Sequence, residues 1–204
     1  MKQNGGVLFI KRVYPALFVL MAGCIVQSFH PFYLDKSKVT LAQLDGEWDA
    51  VTAWGDKMDG SNVPPWRIAG DQILTPEPAK IHVTFFKAGG QLFCDSIAGD
   101  LDGSNKVSWY WAWHARPIHT VTKVETNGDL LTFKPLDLDW LTGLIAAGKV
   151  SLPHLTRTED KDWPLFTAKP ADWEKLLTKY ANNTDAFPTN HIYVFKRHIT
   201  TPVK

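Results

Sequence analysis

The sequence has few of the residues and motifs on which catalytic and metal-binding sites are built. It contains only two cysteines, Cys24 and Cys94, in 204 residues; the histidines include no helical metal pair, and no Cys partners them at zinc-finger spacing. A Gly-x-Ser-x-Gly elbow, a P-loop and a dinucleotide-binding fingerprint are also missing. The formal net charge is +1, so no basic field indicates binding to nucleic acid. These gaps predict a protein that is not an enzyme and has no metal and no cofactor.

Two polar segments remain candidates for a site. His114 and His119 flank Arg116, and the three side chains would converge on one rim if the residues between the histidines form a turn. We treat all three as candidate interface or ligand residues, with hydrogen-bonded surface histidines as the alternative. Residues 100–105 alternate carboxylates as part of a calcium loop does, but no bidentate Glu follows at the required distance, so a turn is predicted.

Tryptophan is the residue that the sequence has in excess, with nine in the chain. Trp109, Trp111 and Trp113 alternate along a strand-like run and therefore share one face. That face is interpreted as core, with an exposed docking surface or the lining of an apolar pocket as alternatives. Trp54 and Trp66 lie in or near a proline-rich segment, where a core role is harder to explain. They are candidates for contact with a partner, a ligand or a membrane interface.

The first 23 residues have the features of an export signal. Their only charged residues are Lys2, Lys11 and Arg12, and residues 13–23 are almost wholly apolar. That run is well short of the roughly 20 residues that a transmembrane helix needs, and it suits a signal peptide. Without these residues the chain has a formal net charge of −2, which again disfavours nucleic acid.

The end of this segment, Met21-Ala22-Gly23-Cys24, resembles the lipobox of bacterial lipoproteins. The resemblance implies cleavage before Cys24, lipidation of Cys24 and a position on the periplasmic side of the bacterial cell envelope, anchored in the membrane by lipid. Cys94 would then have no partner for an intrachain disulfide and is predicted to be a small buried residue. The alternative is an uncleaved signal anchor that reaches Val26. The predicted organisation is a signal peptide at 1–23, a lipidated tether at 24–40 and one globular domain at 41–204.

Short runs of alternating residues predict a domain of the α+β class that is mainly β. Strands are predicted at residues 47–53, 80–86, 91–95, 106–114, 119–125, 130–134, 165–167 and 191–197. Gly89-Gly90 and Asn127-Gly128 indicate hairpin turns, whereas residues 57–78 are rich in proline and glycine and are predicted to be mostly loop. Helical spacing begins at Asp137, which is expected to cap a helix, and again near Pro170. The expected architecture is a curved antiparallel sheet or small β-barrel with two helices inserted before the last strand.

The pair formed by Gly46-Glu47-Trp48 and Arg197 resembles the Gly-x-Trp and last-strand Arg of lipocalins. The resemblance implies that Arg197 stacks over Trp48 and closes the base of a barrel that carries an apolar small ligand. Two helices before the last strand depart from the lipocalin arrangement.

A second resemblance covers most of the chain and relates it to a group of uncharacterised bacterial lipoproteins. It rests on His30 to Tyr33, Arg116 to Thr120, Leu131 to Phe133, Leu138 to Leu141 and Thr167 to Trp173. It implies export and this fold, and it brings no activity.

Three functions follow as hypotheses. The first is a lipid-anchored, non-enzymatic accessory protein that docks through its aromatic loops on a membrane protein complex, such as a respiratory, photosynthetic or other envelope complex. The alternative is a calycin-like carrier of an apolar small ligand. The third is a hydrolase built around His114 and His119.

Overall fold

The computed structural model describes residues 25–52, 63–76, 79–101, 117–156, 164–190 and 192–199. Its strands are β1 (Gln27–Ser28), β2 (Gly46–Val51), β3 (Trp66–Ala69), β4 (Gln72–Leu74), β5 (Ala79–Ala88), β6 (Gln91–Leu101), β7 (His119–Asn127), β8 (Leu130–Pro135), β9 (His154–Leu155), β10 (Leu165–Phe166) and β11 (Tyr193–Arg197). Its helices are α1 (Leu138–Ala146) and α2 (Pro170–Tyr180), and 3₁₀ turns lie at Asp35–Ser37 and Ala42–Leu44.

Eight of these strands form a closed antiparallel barrel. Each strand from β2 to β7 pairs with the next one along the chain. Strand β11 then pairs with β8 on one side and with β2 on the other, which closes the sheet. Strands β1, β10 and β9 extend the sheet from β7. The predicted fold class, mainly β with a small barrel and two helices before the last strand, is confirmed.

The two ends of the barrel differ in their connections. At one end the strands are joined by tight turns at Gly70-Asp71, Gly89-Gly90 and Gly128-Asp129, and each of these glycines has a positive φ. Glycine is needed there because other residues are strained in that conformation. We call this end the closed end and the opposite end, where β6 stops and β7 starts, the cavity end. Both predicted hairpins are confirmed.

The segment at 57–78, predicted to be mostly loop, also contains strands that its sequence pattern does not indicate. It contains β3 and β4, which form a hairpin through Arg67↔Leu74 and Ala69↔Gln72. These strands are only four and three residues long, so proline and glycine around them dominate the sequence pattern. The predicted strand at 106–114 lies outside the described residues.

Alternation along the strands separates two hydrophobic cores. The inner core fills part of the barrel and consists of Leu44, Trp48, Ile68, Ile73, Val83, Phe85, Cys94, Val124, Leu131 and Phe133. The outer core lies between the outside of the barrel and the helices. Its members are Val26, Phe32, Phe86, Ala88, Phe93, Val121, Leu136, Leu138, Leu141, Leu152, Phe166, Ala168, Trp173, Leu176, Leu177, Ala181, Ala186 and Phe187.

The helices form as their sequence signals predict. The Asp137 carboxylate accepts a hydrogen bond of 2.7 Å from the backbone N–H of Trp140 and so caps α1. Helix α2 begins with Pro170 at its first turn and buries Trp173, Leu176 and Leu177 against the barrel.

Residues 25–38 are docked on the barrel, which corrects the prediction of a tether at 24–40. Val26 and Phe32 are 1% and 0% exposed, respectively, and belong to the outer core. The backbone N–H of Phe32 donates to the Asp95 carboxylate at 2.9 Å, and Trp173 Nε1 donates to Ser28 Oγ at 3.0 Å. Burial of these apolar side chains stabilises the segment on the barrel, so residues 25–38 belong to the folded body.

Candidate ligand cavity

The barrel interior contains a cavity of about 390 Å³. Its described lining is dominated by apolar side chains, and the polar ones are neutral. It consists of Ile25, Ile68, Ile73, Ile81, Ile97, Ile118, Ala98, Trp48, Trp66, Phe133, Tyr193, Phe195, Gln27, Ser96, Thr120 and Thr122.

The inner core fills only part of the barrel interior, and the cavity lies beside it. Val83, Phe85, Cys94, Val124 and Leu131 belong to the inner core and do not line the cavity. Their side chains pack together toward the closed end, whereas the lining extends to Trp66 and Tyr193, the first residues of β3 and β11 at the cavity end. The result is a barrel with a filled base and an unfilled upper interior.

The structure brings Trp48 and Arg197 together at the closed end. The Arg197 guanidinium carbon lies 4.3 Å from the centroid of the Trp48 ring. The same guanidinium donates hydrogen bonds to the backbone oxygens of Asp45, at 3.2 Å, and Gln43, at 2.6 Å. Arg197 therefore connects the last strand to the 3₁₀ turn that covers the base.

Gly46 gives this closure the space it needs. Its φ is +131°, and a Cβ atom placed on it would lie 3.1 Å from Arg197 Nη1. Trp48 Nε1 donates to the backbone oxygen of Leu44 at 2.9 Å, which holds the indole over the base. Gly46, Trp48 and Arg197 thus close the base of the barrel together.

Trp66 lies in the cavity wall. Its ring centroid is 5.4 Å from that of Phe195 in an edge-to-face arrangement. This aromatic pair comes from β3 and β11, which flank β2 in the barrel.

His119 faces away from the cavity. Its Nδ1 is 2.7 Å from the Asp95 carboxylate, which is 3% exposed and also accepts from Phe32. The pair supports the docked N-terminal segment on the outer side of the barrel. His114 and Arg116 lie outside the described residues, so the structure does not test whether they converge with His119.

The remaining predicted site residues also lie outside the described residues. They are Cys24, Trp54, Trp109, Trp111 and Trp113. Trp54 belongs to the connection from β2 to β3, and the other tryptophans belong to the connection from β6 to β7. The described strand ends that flank both connections lie at the cavity end.

The described side chains of the cavity wall are all uncharged. Thr120 Oγ1 donates to the backbone oxygen of Ser96 at 3.4 Å, and the buried Thr122 hydroxyl has no hydrogen-bond partner in the described structure. Burial raises the pKa of the neighbouring Cys94 thiol to about 12, so this side chain is a neutral thiol. Such a surface suits an uncharged ligand.

Within the described residues, no group of three or more His, Cys, Asp or Glu side chains is placed to hold a metal ion. No described helix is long and apolar enough to cross a membrane. Comparisons with protein-family models, curated proteins and solved structures found no match for this chain.

Proposed function

We propose that this protein binds a small apolar molecule inside its barrel. The observation that carries the proposal is the cavity of about 390 Å³ with its isoleucine and aromatic lining. Small-molecule sites occupy about 300–1,000 Å³, so the cavity is large enough for a ligand of modest size. Each methylene group transferred from water into such a site contributes about 0.8 kcal/mol. The role is one of binding and carriage rather than catalysis.

The lining supports a neutral ligand over a charged one. Every described lining residue is apolar or neutral, and a charge moved into such an interior would be desolvated without a counter-charge. Gln27, Ser96, Thr120 and Tyr193 offer a small number of polar contacts to one part of the ligand. This composition is typical of sites that take an apolar body with one polar group.

The experiment is a titration with the apolar dye N-phenyl-1-naphthylamine. Trp48 and Trp66 line the cavity, so bound dye accepts energy from them and the emission reports occupancy. Ala98 lines the cavity at its rim, and Ala98→Phe narrows it without crowding the core. Ala69→Phe, on the exposed side of β3, is the matched control.

We expect saturable binding of one dye per chain to the original protein and to the Ala69→Phe variant. Ala98→Phe should weaken binding at least tenfold, which corresponds to about 1.4 kcal/mol. Equal affinity in the two variants, or no saturable binding at all, would contradict the proposal.

We also propose that the barrel works at a membrane, as a lipid-anchored accessory protein of a bacterial envelope complex. The Met21-Ala22-Gly23-Cys24 segment supports the anchor. The connections that contain Trp54 and Trp109 both join strands at the cavity end, which supports an aromatic contact surface there.

Extraction in mild detergent, followed by pull-down and intact mass, tests this second proposal. Lipid on Cys24 with a stoichiometric membrane partner is the expected result. Lipid without a partner would leave only the ligand carrier, and a mass that retains Met1 would contradict the lipoprotein assignment.

A further inference from the structure

The N-terminal segment forms part of the cavity wall. Ile25 and Gln27 line the cavity, whereas Val26 and Ser28 face the outer core, as alternation along an extended chain requires. Gln27 pairs with Thr120, the second residue of β7, so β1 lies at the cavity end of the barrel. The segment that directly follows Cys24 therefore joins the barrel wall beside the cavity.

This entry point leaves no spacer between Cys24 and the barrel. Consecutive Cα atoms are about 3.8 Å apart, and Ile25 is already fixed by a bridge to Asp137. A flexible tether over residues 25–40 would have allowed a separation of roughly 20 Å. With residues 25–38 docked instead, a lipid on Cys24 would hold the cavity end of the barrel against the bilayer.

We propose that the occupant of the cavity is a long alkyl chain of a membrane lipid, received from the bilayer beside Ile25. This inference rests on the proposed apolar-ligand function and on lipidation of Cys24. An alkyl chain is uncharged and matches the isoleucine and aromatic walls, and a lipid headgroup stays at the rim. The chain comes either from a phospholipid or from the lipid on Cys24 itself, since both present the same chemistry at this position.

Photo-crosslinking of the full chain in living cells tests the inference. Cells that express the protein are grown with a fatty acid that carries a terminal diazirine, which enters both phospholipids and lipoproteins. After irradiation the protein is purified and digested, and crosslinked peptides are identified by mass. Ile68 and Ile73 are the diagnostic residues because they line the cavity and are only 4% and 9% exposed.

Crosslinks on the peptides of Ile68 or Ile73 are the expected result. A phospholipid mass on those peptides identifies the bilayer as the source, and a crosslink to the Cys24 peptide identifies the protein's own lipid. Ala98→Phe should reduce these crosslinks at least fivefold, and Ala69→Phe should leave them unchanged. Crosslinks confined to exposed peptides would overturn the inference.

The dye titration on protein purified from cells that were not irradiated separates the two proposals. Saturable dye binding without crosslinks in the cavity would overturn the alkyl-chain inference and leave the apolar-ligand function standing. The absence of both saturable dye binding and crosslinks in the cavity would overturn both proposals.

Discussion

Replacement of Arg197 by Ala is expected to destabilise the closed end of the barrel by about 2–4 kcal/mol. The cation–π contact with Trp48, at 4.3 Å, contributes about 0.5–2 kcal/mol. Hydrogen bonds from a charged donor contribute about 1.5–3 kcal/mol each. The two that reach Asp45 and Gln43 lie at an exposed site, so we count them at or below the lower limit. Water can bind the carbonyls that the truncation leaves free.

Equilibrium unfolding in urea measures this difference. Lys196→Ala is the control, because Lys196 is the exposed neighbour on the same strand and should change stability by no more than about 0.5 kcal/mol. Arg197→Lys should recover less than half of the loss, since an ammonium group cannot stack and donate to two carbonyls as the planar guanidinium does. An Arg197→Ala variant as stable as the Lys196→Ala control would refute the claim that Arg197 stabilises the closed end of the barrel.

Three further predictions concern buried polar groups. Thr122→Val should raise the free energy of unfolding by about 1 kcal/mol, because it removes a buried hydroxyl for which the described residues provide no partner. Thr120→Val loses a hydrogen bond and should not raise it, so equal changes of the two variants in urea unfolding would contradict this prediction. Asp95→Asn should lower the free energy of unfolding by about 1.5–3 kcal/mol, because the carboxylate that accepts the hydrogen bond from the Phe32 N–H is lost. Proteolysis of residues 25–38 should be faster for the same reason, and an unchanged rate of cleavage would contradict this prediction. The Cys94 thiol has a pKa of about 12 and should resist iodoacetamide at pH 8 while the protein is folded. It should react once urea unfolds the protein, and peptide masses measure the labelling. Rapid labelling of the folded protein would contradict the burial of Cys94.

Local signals made much of the fold predictable. Gly89-Gly90 and Asn127-Gly128 mark hairpins because their conformation favours glycine, and Asp137 marks a helix start because its carboxylate satisfies a free N–H. The pairing of β11 with β2 could not be predicted from local signals. It joins residues far apart in the chain, so only the likeness of the Gly46 and Trp48 segment to a known pattern indicated it.

The docking of the N-terminal segment could not be predicted from its own residues. His30 and Pro31 indicate an extended chain, and an extended chain fits a tether as well as it fits a docked strand. The difference depends on tertiary partners, such as Asp95 for the Phe32 N–H and Trp173 for Ser28.

The cavity was only partly predictable for a related reason. Trp66 is a candidate from the sequence because it is a tryptophan in a proline-rich segment. The isoleucines were not identified, because Ile68, Ile73 and Ile81 are ordinary strand residues in the sequence. A cavity exists where facing side chains fail to meet, and that depends on the curvature of the closed barrel rather than on any single residue.

The most direct test of the central claim is a paramagnetic NMR titration of isoleucine methyl groups with a doxyl-labelled alkane. Among the described residues, six isoleucines line the cavity, at positions 25, 68, 73, 81, 97 and 118. Ile145, in α1, and Ile199, which is 71% exposed, lie outside it and serve as internal controls. We predict that the six cavity signals broaden saturably at one alkane per chain while the two controls stay sharp. Broadening of all the methyl signals alike, or of none, would contradict a ligand site inside the barrel.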